Sequence, residues 1–377
     1  MTTMYVPQNT VLSADSYTIL NTIRDQIGGM FRASTPLVED AQSAKAYGQY
    51  VTGAGDPRNA FMDALINRIA RVMCLVKSYD NHLKKFKKGL LGPGEVVENV
   101  WVGLVLPEGY SAHPENPGTV YALNVPDSQI SMHPVNSKLI YEITRNDDEL
   151  EMAITTDLYS FIAKIVDQLY NSAFWDEEIL MKYTLCRAIL DNWDNVTVAV
   201  PALDKTTSND VLSIMKETSM NLEWMSSEYN PAGVPTHTPI EDQYFFLTNK
   251  ASAIIDVNSL ASAYNLEYRN FIAAREKLKS FNMSTDEQTR LDHIMSETVS
   301  AGLVPGYTPF TTGEKEKLGR IVGATVDKDF FFIFDKVFKM ATKYNEKYMY
   351  TNIFLNIWKV YSYNPFANIV VYAEPNP

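Results

Sequence analysis

The chain has 377 residues, 46% of them hydrophobic and 21% charged, enough for one large or two ordinary domains with a substantial core. A formal net charge of -12 excludes adhesion to nucleic acid over the whole surface, because phosphate contacts need clustered Lys and Arg; any nucleic acid is contained or touched locally. Cys74 and Cys186 lie far apart within apolar helical patterns, so they form no disulfide framework and read as reduced core residues.

In chain order, Met1 to Thr10 lacks the basic and apolar regions of a signal peptide, and no apolar run is long enough to cross a bilayer. A cytoplasmic protein is expected. Ser13 to Ile27 predicts an amphipathic helix through Tyr17, Leu20, Ile23 and Ile27, ended by Gly28 and Gly29, with little nearby in sequence to bury its apolar face. Arg32 to Arg58 is polar and rich in small residues without a sustained period, which reads as an extended arm. Ala60 to Val76 is helical again, with Phe61, Leu65, Ile66, Ile69, Val72 and Met73 on one side. The basic run Lys84, Lys85, Lys87, Lys88 follows, then Gly89, Gly92, Pro93 and Gly94, a sharp boundary.

Glu95 to Ile130 is β-branched and aromatic between turn formers, so Glu98 to Leu106 and Thr119 to Val125 are expected as two strands of a long hairpin. Lys138 to Thr144 alternates as a partly buried strand. Between Pro134 and Pro201 there is neither glycine nor proline, and Leu158, Phe161, Ile162, Ile165, Val166, Leu169, Tyr170, Ala173 and Phe174 fall on one helical stripe. Thr155 or Thr156 suits its cap, with Asp157 at the positive end of the dipole. The stripe resumes at Leu180, Tyr183, Cys186 and Leu190 beyond Asp176, Glu177 and Glu178; either one helix of roughly 55 Å reaches Trp193 or two meet near Asn171 to Glu178.

Val196 to Ala202 reads as a strand, Ser208 to Met225 as a helix capped by Ser208 or Asn209, and Pro231 to Pro239 as a connector. Tyr244 to Leu247 and Ala253 to Ile255 are expected as short strands, Val257 to Phe281 as two short helices, Ser284 to Ser300 as a helix, and Gly302 to Gly313 as a loop. Phe330 to Met340 and Tyr348 to Val371 are apolar and aromatic, with a turn at Asn364 and Pro365 before a final strand from Ile369 to Tyr372. No fixed-period repeat is present.

Chemistry-bearing motifs are scarce. The five histidines never take a metal-ligand spacing, no CxxC pair or GxSxG elbow occurs, and Gly89 to Gly94 lacks the GK[ST] ending of a phosphate loop. Asp147, Asp148, Glu149 and Glu151 read as solvated carboxylates before a helix. Neither a cofactor nor an enzyme is implied. The four lysines from Lys84 to Lys88 are the charge feature that stands out: by pattern a solvated corner, by function a contact with an acidic neighbouring subunit or with nucleic acid.

Several short stretches, in order, resemble the major capsid proteins of small short-tailed, protein-primed phages of the Bacillus type. They are Ser16, Tyr17, Ile19, Asn21, Ile23 and Arg24; LKKFKKG from Leu83 to Gly89; YNSA from Tyr170 to Ala173; VDKD from Val326 to Asp329; Trp358; and FAN from Phe366 to Asn368. The resemblance implies the α+β coat fold of tailed phages named after the Hong Kong phage. Its parts would be an N-terminal arm at 1–58, a helix and hinge at 59–94 with Gly89, Gly92 and Gly94 as flexible joints, and an extended β-hairpin loop at 95–133. A peripheral domain with a spine helix would occupy 134–200, an axial domain 201–335, and strands returning to the peripheral domain 336–377. It further implies self-assembly into hexameric and pentameric capsomers, a scaffolding protein, a portal, and double-stranded DNA held by containment, with assembly in the host cytoplasm. Some relatives carry a further immunoglobulin-like domain, whereas this sequence stops at Pro377 after the final strand. The rival expectation from another class is a tail or host-receptor binding protein using the Tyr-rich segments; an acid-base hydrolase at Asp147 to Glu151 is remote.

Overall fold

The computed structural model describes residues 16–53, 81–92, 97–105, 128–131, 135–146, 158–259, 275–300, 309–345 and 347–376, with single positions at 57, 60, 61, 64, 65, 95, 149 and 154. The chain divides into two compact units. One takes Met1–Asn81, Lys138–Glu177 and Val337–Trp358; the other takes His82–Ser137, Glu178–Lys336 and Lys359–Pro377.

In the first unit, α1 (Ser16–Ile27) ends at Gly28 and Gly29, whose φ of 64° and 52° are left-handed values that glycine adopts without a Cβ clash. Arg24 closes that end, its guanidinium donating to the carbonyls of Thr35 and Arg32 at 3.0 and 2.9 Å. The expected extended arm instead contains two helices where described, α2 (Gly29–Ser34) and α3 (Ala41–Gly53), joined by irregular residues 35–40. Ala44, Tyr47 and Val51 are buried at helical spacing, a stripe too narrow to stand out among Gly, Gln and Ser. Cover for α1 does come, from residues distant in sequence: Ile19, Leu20 and Ile23 share one cluster with Tyr47, Phe61, Leu65, Ile165, Leu169, Ile353 and Leu355. Of the Ala60 to Val76 helix, positions 60, 61, 64 and 65 are helical; Ile66, Ile69, Val72, Met73 and Cys74 lie outside the described residues.

The long helix, α4 (Leu158–Asp191), runs unbroken for 34 residues, about 51 Å at 1.5 Å per residue. Its suspected break is where its charges go inside. Asp176 and Glu177, each 2% exposed, accept from the Tyr141 hydroxyl at 2.8 Å and the Asn81 amide at 2.9 Å. The charged run interrupts the apolar stripe without solvating the helix, because the carboxylates have partners. The expected caps at Thr155 to Asp157 lie outside the described residues.

In the second unit, β5 (Thr197–Ala199), β6 (Gln243–Thr248), β7 (Arg275–Leu278), β8 (Ile321–Asp327) and β11 (Ile369–Ala373) form a sheet of order β5-β11-β8-β6-β7. Its two outer pairs are parallel and its inner pairs antiparallel. Helices α6 (Ser208–Asn221) and α7 (Asn249–Ser259) share a core with it through Val211, Met215, Ala251, Ile255 and Tyr372; the four-residue α5 (Trp193–Val196) precedes β5. The strand expected at Ala253 to Ile255 is part of α7: Thr248 accepts from the Ala251 amide at its start, and Ala251 and Ile255 lie one turn apart, both buried. Conversely Arg275–Leu278, expected as helix, is an edge strand held by β6; residues 260–274 lie outside the described set. The N-cap of α6 is Thr207 rather than Ser208 or Asn209, and the turn before it is tied by Asp204, which accepts from the amides of Thr206 and Thr207 at 2.6 and 2.9 Å.

Two further helices begin with reciprocal caps. Ser284 and Glu287 cap α8 (Thr285–Ser300), and Thr311 and Glu314 cap α9 (Thr312–Gly319), which starts inside the expected Gly302 to Gly313 loop. Each capping glutamate also meets a cation of α4: Lys182 lies 3.1 Å from Glu287, and Arg187 lies 2.8 Å from Glu314.

A four-stranded sheet of order β1-β9-β10-β4 comprises β1 (Lys87–Leu90), β9 (Phe331–Asn345), β10 (Tyr350–Tyr363) and β4 (Val135–Asn146). A two-stranded ribbon pairs β2 (Asn99–Val102) antiparallel with β3 (Ser128–Ser131). The strand expected at Thr119 to Val125 lies outside the described residues.

Gly323 lies in β8 opposite Leu247, and a Cβ there would come within 2.8 Å of the Phe246 carbonyl. Backbone cannot yield cheaply, so Gly323→Ala should cost about 2–3 kcal/mol in urea unfolding, whereas Gly319→Ala, with nothing within 4 Å, should be near neutral. Burial alone would raise the Glu287 carboxyl, but the Ser284 amide and then Lys182 hold it below its ordinary value. Its contribution is therefore complete above the unfolded value and fades as pH falls. Glu287→Gln should lose about 2–4 kcal/mol at pH 7 and flatten the acid limb of stability against pH.

Candidate inter-subunit site

The stretch from Leu83 to Gly89 alternates apolar anchors with lysines. Leu83 and Phe86 are buried, and the Phe86 ring stacks on Phe331 at 4.3 Å and Phe246 at 5.6 Å, with Tyr244 edge-on at 5.1 Å. This anchor makes a single 3-10 turn from Lys84 to Phe86 and delivers the next residues as β1, parallel to the start of β9.

The lysines then meet carboxylates of their own chain. Lys85 pairs with Glu276 and lies 4.4 Å from the Tyr244 ring centroid, and burial lowers its pKa. Lys87 is 3.1 Å from Asp335, and Lys88 is 2.5 Å from Asp329. Lys84 is exposed on the 3-10 turn. The basic run thus serves as an internal clasp between β1 and elements distant in sequence.

The glycines divide likewise. Gly89, at φ 120°, sits where the β1 to β9 register shifts, so it permits a bulge within a paired strand. Gly92 donates its amide to Glu95 at 2.6 Å. Gly94 lies outside the described residues.

Two participants had no sequence signal. Asp335 also faces Lys359, whose ammonium lies 3.2 Å from Oδ1 without hydrogen-bond geometry, so two lysines flank one carboxylate. Burial, then the like charge of Lys87, pushes the Lys359 pKa down to about 6, against the pull of Asp335. The VDKD stretch has a local role: burial raises the Asp327 carboxyl, which accepts from the Thr238 hydroxyl at 2.6 Å and the Asp329 amide at 2.8 Å, fixing the turn into β9.

Of the acidic stretch before α4, Glu149 is described and exposed, 3.8 Å from Arg145. Among the described residues, no three His, Cys, Asp or Glu side chains converge as metal ligands, and no helix is long and apolar enough to cross a membrane. Cys186 is buried and unbonded to sulfur, with its thiol pushed up to about 12 by burial.

The family described as Phi29-like phage major capsid protein matches residues 20–373. The major capsid protein of Bacillus phage GA-1 is 29% identical over 372 residues, covering 96% of this chain and 70% of that protein. That of Bacillus phage B103 is 28% identical over 369 residues, covering 95% and 73%. Among solved structures, the capsid of Staphylococcus phage Andhra has the same fold at a TM-score of 0.56 and 12% identity, covering 80% of this chain and 86% of that one. The capsid of Cyanophage P-SCSP1u gives 0.52 at 12% identity, covering 80% and 90%.

Lys359 lies near 6 in the folded chain against an ordinary 10.5, so the unfolded chain binds the extra proton between those values and stability rises with pH across that window. Lys359→Met, which leaves Lys87 on Asp335, should be at least as stable as the parent at pH 7 and lose that rise. Urea titrations from pH 6 to pH 10 measure both.

Proposed function

The chain belongs to the Phi29-like phage major capsid protein family, and from that membership, as the shell-forming protein of a phage head, we propose how it builds the shell. Copies assemble into hexameric and pentameric capsomers that close into an icosahedral or prolate head around double-stranded DNA. A scaffolding protein directs closure in the host cytoplasm, and a portal occupies one vertex. The observation that carries this reading is the match over 20–373, which takes in the N-terminal helices, all of α4 and both sheets.

Within that reading, α4 is the spine and the β2–β3 ribbon is the base of an extended loop reaching a neighbour. The sheet carrying β9, β10 and β4 belongs to a peripheral domain and the sheet around β8 to an axial domain. The net charge of -12 suits containment of DNA, which must slide during packaging and leave on infection. Many weak contacts suffice, since a closed shell repeats each one.

Expression with a cognate scaffold should give closed shells in the electron microscope and a rapidly sedimenting species. A product that stayed monomeric under every assembly condition, and was absent from virion heads by mass spectrometry, would refute the assignment.

A further inference from the structure

Asp335 lies on β9, the strand between β1 and β10, and each flanking strand brings a lysine to its carboxylate. Lys87 of β1 lies 3.1 Å from Oδ2, and Lys359 of β10 lies 3.2 Å from Oδ1. All three residues belong to the second unit. In an ordinary buried ion pair the Lys359 ammonium would donate to that oxygen, because a charge taken out of water needs its hydrogen bonds. Here the approach lies outside hydrogen-bond geometry, and Oδ1 is buried with no hydrogen-bond partner among the described residues.

The two amines are also within hydrogen-bonding reach of each other. Two ammonium groups cannot bond to one another, so one of the pair offers a lone pair. Lys359 is that one. Its side chain is 7% exposed against 26% for Lys87, and burial, then the charge of Lys87, lowers its pKa to about 6. A neutral, desolvated amine is a nucleophile, and paired strands hold this one beside a carboxyl carbon. Lys87, an ammonium on the other oxygen, is placed to donate a proton there.

We propose that Lys359 and Asp335 join in an isopeptide bond within one chain, stapling β10 to β9. Lys87 transfers a proton to Oδ2, and the Lys359 amine adds to the Asp335 carboxyl carbon. The bond between Nζ and Cγ forms and the bond between Cγ and Oδ2 breaks. Oδ2 leaves as water, carrying the proton from Lys87 and one from Lys359, while Oδ1 stays as the amide oxygen. Charge balances: one ammonium and one carboxylate become a neutral amine and a neutral amide, and Lys87 regains its proton from solvent. No oxidant or outside reagent is consumed. The Asp335 side chain is 29% exposed, which gives the water a way out. Freshly folded chain carries the free Lys359 amine, whose titration makes stability depend on pH; the bond forms afterwards. The reaction is independent of the shell-forming reading, since every group in it comes from one copy.

The test is mass spectrometry of the full-length chain, fresh and after weeks of storage at neutral pH. Stored chain should be lighter than its sequence mass by one water, and its digest should contain a branched peptide joining the β9 and β10 segments through Asp335 and Lys359. Lys359→Met should keep its full mass. Lys87→Met, which retains both reacting groups, should lose water roughly tenfold more slowly or worse, with circular dichroism and the thermal midpoint reporting that each variant is folded. A parent chain that keeps its full mass overturns the proposal, whatever the variants do. So does a water loss confined to a linear peptide at Asp335 and Lys336, which marks a succinimide, and so does a loss that persists in folded Lys359→Met. Equal rates in parent and folded Lys87→Met would overturn the assigned proton donor.

Discussion

A helix of 34 residues that enters compact units must take its charged side chains inside with it, and the structure depends on each of them finding a partner. Asp176 and Glu177 have Tyr141 and Asn81; Lys182 and Arg187 have the glutamates that cap α8 and α9. The last two arrangements use one carboxylate twice, to satisfy orphan amides at a helix start and to neutralise a cation of α4. Breaking one therefore frays a helix and strands a charge together. Such pairs give little net stability over a well-packed apolar alternative, but they specify which helix meets which position on α4.

The same economy governs the basic run. Four lysines in five residues suggest a patch for an outside partner, yet Phe86 is driven into an aromatic cluster and sets the lysines beside Glu276, Asp335 and Asp329. Asp335 and Asp329 are supplied by β9 and the turn before it, Glu276 by β7. The result is a strand clasp in which charge helps fix register and Gly89 absorbs the shift.

Much of the fold is legible in the sequence where one period dominates: α1, α4, the alternation of β4, and the last strand all follow from spacing. The successive short resemblances identified the family on residues that are structural, Phe86 and Asp327 among them. What stayed hidden depends on distant neighbours. α3 shows three buried side chains among small polar residues, and packing against residues from elsewhere in the chain, with the rings of Phe31 and Phe61 around Tyr47, makes it a core helix. β7 reads as helix because Arg, Glu, Lys and Leu favour one; pairing with β6 overrides that preference. The internal partners of the candidate site were not legible, since a lysine's partner 190 to 250 residues away leaves no local signal; Lys88 and Asp329 are 241 apart.

Burial divides the lysines of this chain into two electrostatic populations. Lys182, with its side chain 7% exposed, meets Glu287 across a medium from which salt and water are largely excluded. Lys339 and Lys343 stand in solvent, where attraction is cut over a Debye length of about 8 Å at physiological ionic strength. Ionic strength therefore acts on the exposed charges and hardly on the buried pairs within the fold. A shell protein gains from that separation: its subunits remain folded while their mutual attraction is tuned low enough for misplaced copies to leave before the shell closes. The overall acidity works in the same direction, because like net charge makes any two copies repel at long range.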